Sequence, residues 1–220
     1  MRKRIAATVG NAENGVSPQP KTAMPQNPQP LFLALCLLLT ACSDTHQTAT
    51  EPDEPAPLLS AAEQGDLPSI SRLIADSPDV DIRDACLWTP LMKAALNGHR
   101  EAARQLIEAG ADVNLTDKGG YSALMLAASN NHADIIGLLL NAGADANQIE
   151  QTGGFTALIW AAQLGHTAAV KRLLDASADP TARDFDGNSA ADLARQNGHH
   201  EILDLLNASV AATLHRQELH

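Results

Sequence analysis

The sequence predicts an all-α solenoid, a stack of about five pairs of short helices. Three observations predict it. The pairs Gly98-His99, Asn131-His132, Gly165-His166 and Gly198-His199 recur at spacings of 33, 34 and 33 residues, and Gly65-Asp66 lies 33 before the first. The pairs Ala61-Ala62, Ala94-Ala95, Ala127-Ala128 and Ala161-Ala162 keep the same step. Self-similarity at such a period marks repeats that bury their faces against one another. Third, 45% of the 220 residues are hydrophobic but only 3% are aromatic. That balance suits closely packed helices better than strands, which favour aromatic and β-branched residues.

The chain ahead of the stack has its own logic. Arg2-Lys3-Arg4 is basic, and Leu31 to Cys42 is a 12-residue apolar run. A permanent membrane span needs about 20 residues, so the run fits the apolar middle of a secretory signal. Leu39-Thr40-Ala41-Cys42 resembles the bacterial lipobox, the pattern Leu, small, small, Cys. The resemblance implies a lipoprotein signal peptide over 1–41 and a lipidated Cys42. Ser43 rather than Asp at the next position implies sorting to the outer membrane, facing the periplasm. An ordinary signal peptide with an incidental Cys42 stays open, as does a start at Met1 or at Met24. Residues 42–57 hold the lipidated cysteine and a polar, Pro-rich stretch that reads as a tether. Cleavage removes Arg2, Lys3, Arg4, Lys21 and Glu13, so the charge moves from −11 to −14. It also leaves Cys86 as the one thiol not lost or lipidated, with no internal bridge expected. Such acidity argues against nucleic acid as a partner.

Each unit then reads as helix, turn, helix, turn. Thr89, Ser122, Thr156 and Ser189 are placed to cap a first helix through a hydroxyl. Pro90 follows at the first helical position, where its missing N–H costs nothing. Second helices carry apolar residues at helical spacing, such as Ile135, Ile136, Leu139 and Leu140 beside Ala169, Val170, Leu173 and Leu174. Gly110 and Gly143 end two of them where a positive φ is wanted. Ser77 and Ser177 stand in the same slot, so a slightly strained left-handed turn is expected at each.

At Thr89 to Tyr121, TPLMKAALNGHREAARQLIEAGADVNLTDKGGY, the chain resembles the ankyrin-repeat family. The resemblance covers about residues 58 to 207, with repeats near 58–88, 89–121, 122–155, 156–188 and 189–207, and leaves 208–220 as a C-terminal tail. It implies short β-hairpin-like fingers between repeats. The family's Thr-Pro-Leu-His has Met92, Met125, Ile159 and Asp192 in the His slot, which predicts a cost in stability. Repeat three has one extra residue near Gln151-Thr152-Gly153-Gly154, so its finger tip should be reshaped.

Chemistry is sparse. His99, His132, His166 and His199 sit on successive repeats, about 10 Å apart by helix packing. One zinc holds its nitrogens at about 2.1 Å, so these four cannot converge on it. They are expected to order second helices and bond nearby backbone. Asp84, Asp117, Glu150 and Asp184 recur at one turn position and are expected to accept backbone N–H groups. No nucleophile elbow, zinc-protease or phosphate-loop signature occurs. The reading is a non-enzymatic, monomeric chain with no catalytic residue, no metal, no cofactor and no small-molecule substrate.

The candidate contact residues come from the finger bases and, by the resemblance, the concave groove. Trp88, Tyr121 and Phe155, with Asn188 fourth, precede the caps. There they touch a partner, Trp88 foremost, or staple onto Lys93, Leu126 and Trp160 respectively, Trp88 fitting less well; the two readings can coexist, since a stapled ring still shows one face. Beside them lie Leu96, Asn97, Ser129, Asn130, Gln163 and Leu164, then Gln196 and Asn197. The expected function is a protein–protein interaction module, lipid-anchored in a bacterial envelope. The alternative is an inhibitor, immunity or protective accessory protein for a periplasmic enzyme or toxin.

Overall fold

The computed structural model describes residues 57–77 and 79–217. The expected signal peptide, Cys42 and nearly all of the tether lie outside the described residues. Ten helices follow one another: α1 (Pro57–Gln64), α2 (Leu67–Asp76), α3 (Pro90–Leu96), α4 (Arg100–Glu108), α5 (Ala123–Ser129), α6 (Ala133–Asn141), α7 (Ala157–Gln163), α8 (Thr167–Asp175), α9 (Ala190–Gln196) and α10 (His200–Gln217). Odd-numbered helices stack in one layer and even-numbered helices in a second. The expected all-α repeat solenoid is what the chain forms.

The caps work as their residue types require. The hydroxyls of Thr89, Ser122, Thr156 and Ser189 accept the N–H of Met92, Met125, Ile159 and Asp192. The substituted His slot is filled differently from repeat to repeat. Met92, Met125 and Ile159 are each about 1% exposed and pack into the core. Asp192 instead closes a reciprocal capping box with Ser189. The Ser189 hydroxyl and N–H both donate to the Asp192 carboxylate and, with Arg195 at 2.9 Å, hold it down to about 2. The alanine pairs are buried throughout, which lets paired helices approach closely.

The histidines tie repeat to repeat. Nε2 of His99, His132, His166 and His199 lies 3.0–3.2 Å from the carbonyl oxygens of Glu63, Leu96, Ser129 and Gln163, each in the preceding repeat. The bond is to backbone, as expected, but to that of the neighbouring unit. The ring lies over the glycine ahead of it. A Cβ on Gly65, Gly98 or Gly165 would come within 2.6–2.7 Å of the next imidazole.

Two turn expectations part ways. Ser177 takes the left-handed conformation at φ 63°, as expected. Ser77 does not: it is extended, at φ −141° and ψ 120°. Pro78 follows it, and a residue before proline is pushed toward extended backbone. The last helix runs on through Gln217, so the stretch set apart as a tail begins as helix. In the full-length chain Cys86 is disulfide-bonded, whereas the expectation of no bridge concerned the chain after cleavage; the other cysteines, Cys36 and Cys42, lie outside the described residues.

Candidate partner-binding surface

The surface is built from the fingers and the first-helix layer. Each finger is a tight hairpin closed by one acid. The Asp84 carboxylate accepts from the N–H of Cys86 and Trp88, and that of Asp117 from Gly119 and Tyr121. Asp184 accepts from Asn188. The third finger is one residue longer, and there the acid is Glu150, one methylene longer. It accepts from the N–H of Thr152, Gly153 and Phe155 and from the Thr152 hydroxyl. Burial pushes the Glu150 carboxyl up, but these donors outweigh it and hold it below its ordinary value. At Asp117 burial wins, and the carboxyl lies above its ordinary value.

The fingers form a continuous ribbon. Lys118 N–H donates to Cys86 O, Gln151 N–H to Gly119 O, and Phe185 N–H to Gly153 O, at 2.8–3.1 Å. Behind them, the side chains of Asp81, Asn114 and Asn147 accept the N–H of Asp112, Asp145 and Asp179 from the next repeat. Every finger is thus bonded to its neighbour at two levels.

The aromatic row turns inward more than outward. Trp88, expected to be the foremost contact, is 5% exposed and lies 5.0 Å beneath the Lys93 ammonium. Phe155 meets Trp160 edge-to-face at 4.9 Å, and Tyr121 lies 6.2 Å from the same indole. The Tyr121 hydroxyl bonds Thr152, in the next finger, at 3.2 Å. Phe155 therefore staples onto Trp160 and Trp88 lies under Lys93, whereas the ring partner of Tyr121 is Trp160 on α7. Tyr121, Phe155 and Asn188 keep partly exposed edges, whereas Trp88 offers very little.

In the groove, Asn97, Gln196 and Asn197 are exposed, while Leu96, Asn130, Gln163 and Leu164 are half-buried. Ser129 is buried, and its hydroxyl bonds Leu126 O. Charges bordering the groove are paired: Lys93 with Glu63 at 3.7 Å, and Asp192 with Arg195 and Arg183 at 2.9 and 3.6 Å.

Sequence reasoning missed the finger tips. Leu87, Ile149 and Phe185 are 37%, 52% and 64% exposed, and they are the exposed large apolar side chains among the described residues. All three lie on fingers. Their signal was in the register: Ile149 aligns with Arg83, Thr116 and Arg183, and Phe185 with Ala85, Lys118 and Gln151. Leu87 aligns with Gly120, Gly154 and Gly187 and shares their positive φ, at 66°.

Other sites are weaker. A hollow of about 370 Å³ at the first repeat is lined by Ser60, Gln64, Asp66 and Arg72 among others. Among the described residues no group of His, Cys, Asp or Glu is placed to hold a metal ion, and no helix is long and apolar enough to cross a membrane.

Stacked helix pairs with a polar groove and a ribbon of fingers define a helical-repeat binding scaffold. The chain belongs to the ankyrin-repeat family: the family model for ankyrin repeats in three copies matches residues 29–117, 58–150 and 124–216. No curated protein matches the chain significantly. Ankyrin repeats are generally protein–protein interaction modules, and the family is typically non-enzymatic.

Proposed function

We propose that this chain holds a partner protein against its finger tips and groove while a lipid on Cys42 keeps it at a bacterial outer membrane. One observation carries the binding half: every exposed large apolar side chain among the described residues sits on a finger. Leu87 adds weight. A leucine in a left-handed turn costs about 1–2 kcal/mol, and the next three fingers avoid that with glycine. An exposed, strained leucine is explained by a contact it makes elsewhere. Phe185, Ile149 and Leu87 are the apolar anchors; Leu96, Asn97, Asn130, Gln163 and Leu164 add the groove side of the contact. Tyr121, Phe155 and Asn188 contribute their outer edges.

The test is capture of a partner from detergent-solubilised envelopes by the chain and by an Ile149→Glu, Phe185→Glu variant. Both side chains are exposed, so the variant keeps its helical spectrum. Equal recovery of the same partner by the variant would sink the finger-tip assignment.

The anchoring half is supported by the Leu39-Thr40-Ala41-Cys42 pattern at the end of an apolar run. Several acyl chains on one residue give stable attachment, where one gives only marginal binding. Cys42→Ala should move the chain from the membrane pellet to the soluble fraction; unchanged pelleting would discard the anchor. A chain cleaved before Cys42 and lipidated there cannot keep the Cys86 bridge. Intact mass under non-reducing conditions therefore separates the two states.

A further inference from the structure

We infer that the last finger accepts a tight turn of the partner as a fifth finger, taking a main-chain N–H on Asp186 O and an aromatic side chain over Gly187. The inference rests on the binding role proposed above and names the chemistry of what is bound. The third and fourth fingers each meet the one before through the residue after the closing acid. Gln151 donates its N–H to Gly119 O, and Phe185 donates its N–H to Gly153 O, both at 2.8 Å. The same two side chains lie on the glycine that follows that carbonyl. A Cβ on Gly120 would come within 3.0 Å of Gln151 Cγ, and one on Gly154 within 2.5 Å of the Phe185 ring. Carbonyl and glycine thus form a two-part seat, filled by the amide and the side chain of one residue.

The fourth finger carries the same seat. Its Asp184 N–H bonds Asn188 O and its Gly187 N–H bonds Asp184 O, as Asp117 and Gly120 bond Tyr121 O and Asp117 O in the second finger. Asp186 therefore stands where Gly119 stands, and Gly187 where Gly120 does. Both Asp186 and Gly187 are exposed. Gly187 has φ +83°, and nothing lies within 4 Å of its Cβ position. Among the described residues no group donates to Asp186 O. The open edge of a hydrogen-bonded ribbon is a template for a further chain, and addition at such an edge is a recurring mode of recognition. The fingers themselves show what fits. Asp184 to Gly187 is a β-turn with Phe185 in second place, and it fills the seat of the third finger. A second copy of the chain does not fit. Its first finger would bring Ala85, with only a methyl for the seat. Its α1 and α2 would also fall where α9 and α10 stand, because they precede the first finger as α9 and α10 precede a fifth. The occupant is a partner loop with no repeat behind it, a β-turn with an aromatic residue second.

The probe is a cyclic peptide copying Arg183 to Asn188, added to the isotope-labelled full chain. Saturable shifts of the Asp186 and Gly187 amide resonances are expected, with none at Leu87 in the first finger, where Cys86 O already accepts from Lys118. Replacing the peptide's phenylalanine by alanine should weaken binding about tenfold, and Gly187→Leu in the chain should do the same. Together they should cost no more than either alone, the coupling expected of one shared contact. Methylating the nitrogen of the peptide's phenylalanine removes the donor and should abolish binding to either chain. Leucine already occupies this slot as Leu87, at φ 66°, so the variant keeps its fold. Gly143→Ala, at φ +91° with nothing within 4 Å of its Cβ position, carries a left-handed backbone cost away from the fingers and should keep wild-type affinity. The peptide should also displace the envelope partner from the wild-type chain. Unshifted amides, equal affinity for Gly187→Leu, additive losses or a partner that stays bound each overturn the inference. When the partner is still captured through the finger tips, those outcomes leave the binding role standing. Capture of nothing by the wild-type chain removes both.

Discussion

Replacing Gly165 by alanine isolates the bond that joins one repeat to the next. Gly165 has φ +80°, and a Cβ there would come within 2.7 Å of the His199 ring. Gly198, at φ +76°, is its equivalent one repeat later and has nothing within 4 Å of its Cβ position. The two substitutions share the backbone cost of alanine in a left-handed turn, about 1–2 kcal/mol. Only Gly165→Ala also displaces His199 from Gln163 O, now 3.2 Å away, at a further cost of about 1 kcal/mol. Asn131 bounds this figure. It takes φ 58° in the same slot, and His166 still reaches Ser129 O at 3.1 Å, so a ring can yield to a Cβ. Urea denaturation followed by far-ultraviolet circular dichroism gives both costs. In a His199→Ala background the excess for Gly165→Ala should vanish. Equal costs for Gly165→Ala and Gly198→Ala, or an excess that survives removal of His199, would refute the idea that the imidazole holds the glycine turn.

Glu150→Asp shortens the acid of the long finger and should cost about 1–3 kcal/mol by stranding buried N–H groups; deleting Thr152 in that variant, which restores the length of the other fingers, should recover part of the loss on the same urea curves. Leu87→Gly should raise stability by about 1 kcal/mol through release of left-handed strain, seen as a higher melting temperature, while partner capture weakens. Burial lowers the pKa of His166, with small contributions from His199 and His132 opposing the bond to Ser129 O. The folded chain therefore binds this proton less readily than the unfolded chain, so stability falls as pH drops below about 6.5. His166→Gln should flatten that fall in melts run across the range. Ser189→Ala removes the capping box and should cost about 1 kcal/mol, measured as fraying of the last repeat by amide hydrogen exchange.

The stack was legible because its causes are local. A hydroxyl before a helix, an alanine pair and a glycine turn act within a few residues, and their return every 33 or 34 positions fixes the architecture. Even the long finger could be read from one surplus residue. What escaped depends on which neighbours each side chain meets. Trp88 joins the buried core cluster, with the nearby Lys93 over its ring. Tyr121 is drawn inward by Thr152, 31 residues later, and by Trp160. A spacing rule sees the shared position of Trp88, Tyr121 and Phe155 but not the direction each ring takes. Ser77 shows the reverse: its slot matches Gly110, but the local effect of Pro78 on the residue before it decides its extended backbone. The finger-tip residues Ile149 and Phe185 differ from the residues at their aligned positions, so a periodic pattern carries no signal of them.

The histidine contacts all point one way, each reaching from a later repeat to an earlier one, so the two ends of the solenoid are not equivalent. Trimming the last repeat removes His199 as a lid and merely bares Gly165, as Gly198 is bare already. Trimming from the amino end takes away the carbonyl that an inner imidazole was holding. Shortened chains should therefore tolerate loss at one end better than at the other, and a lineage that lengthens this scaffold would add new units most easily after His199, where a glycine already waits uncovered.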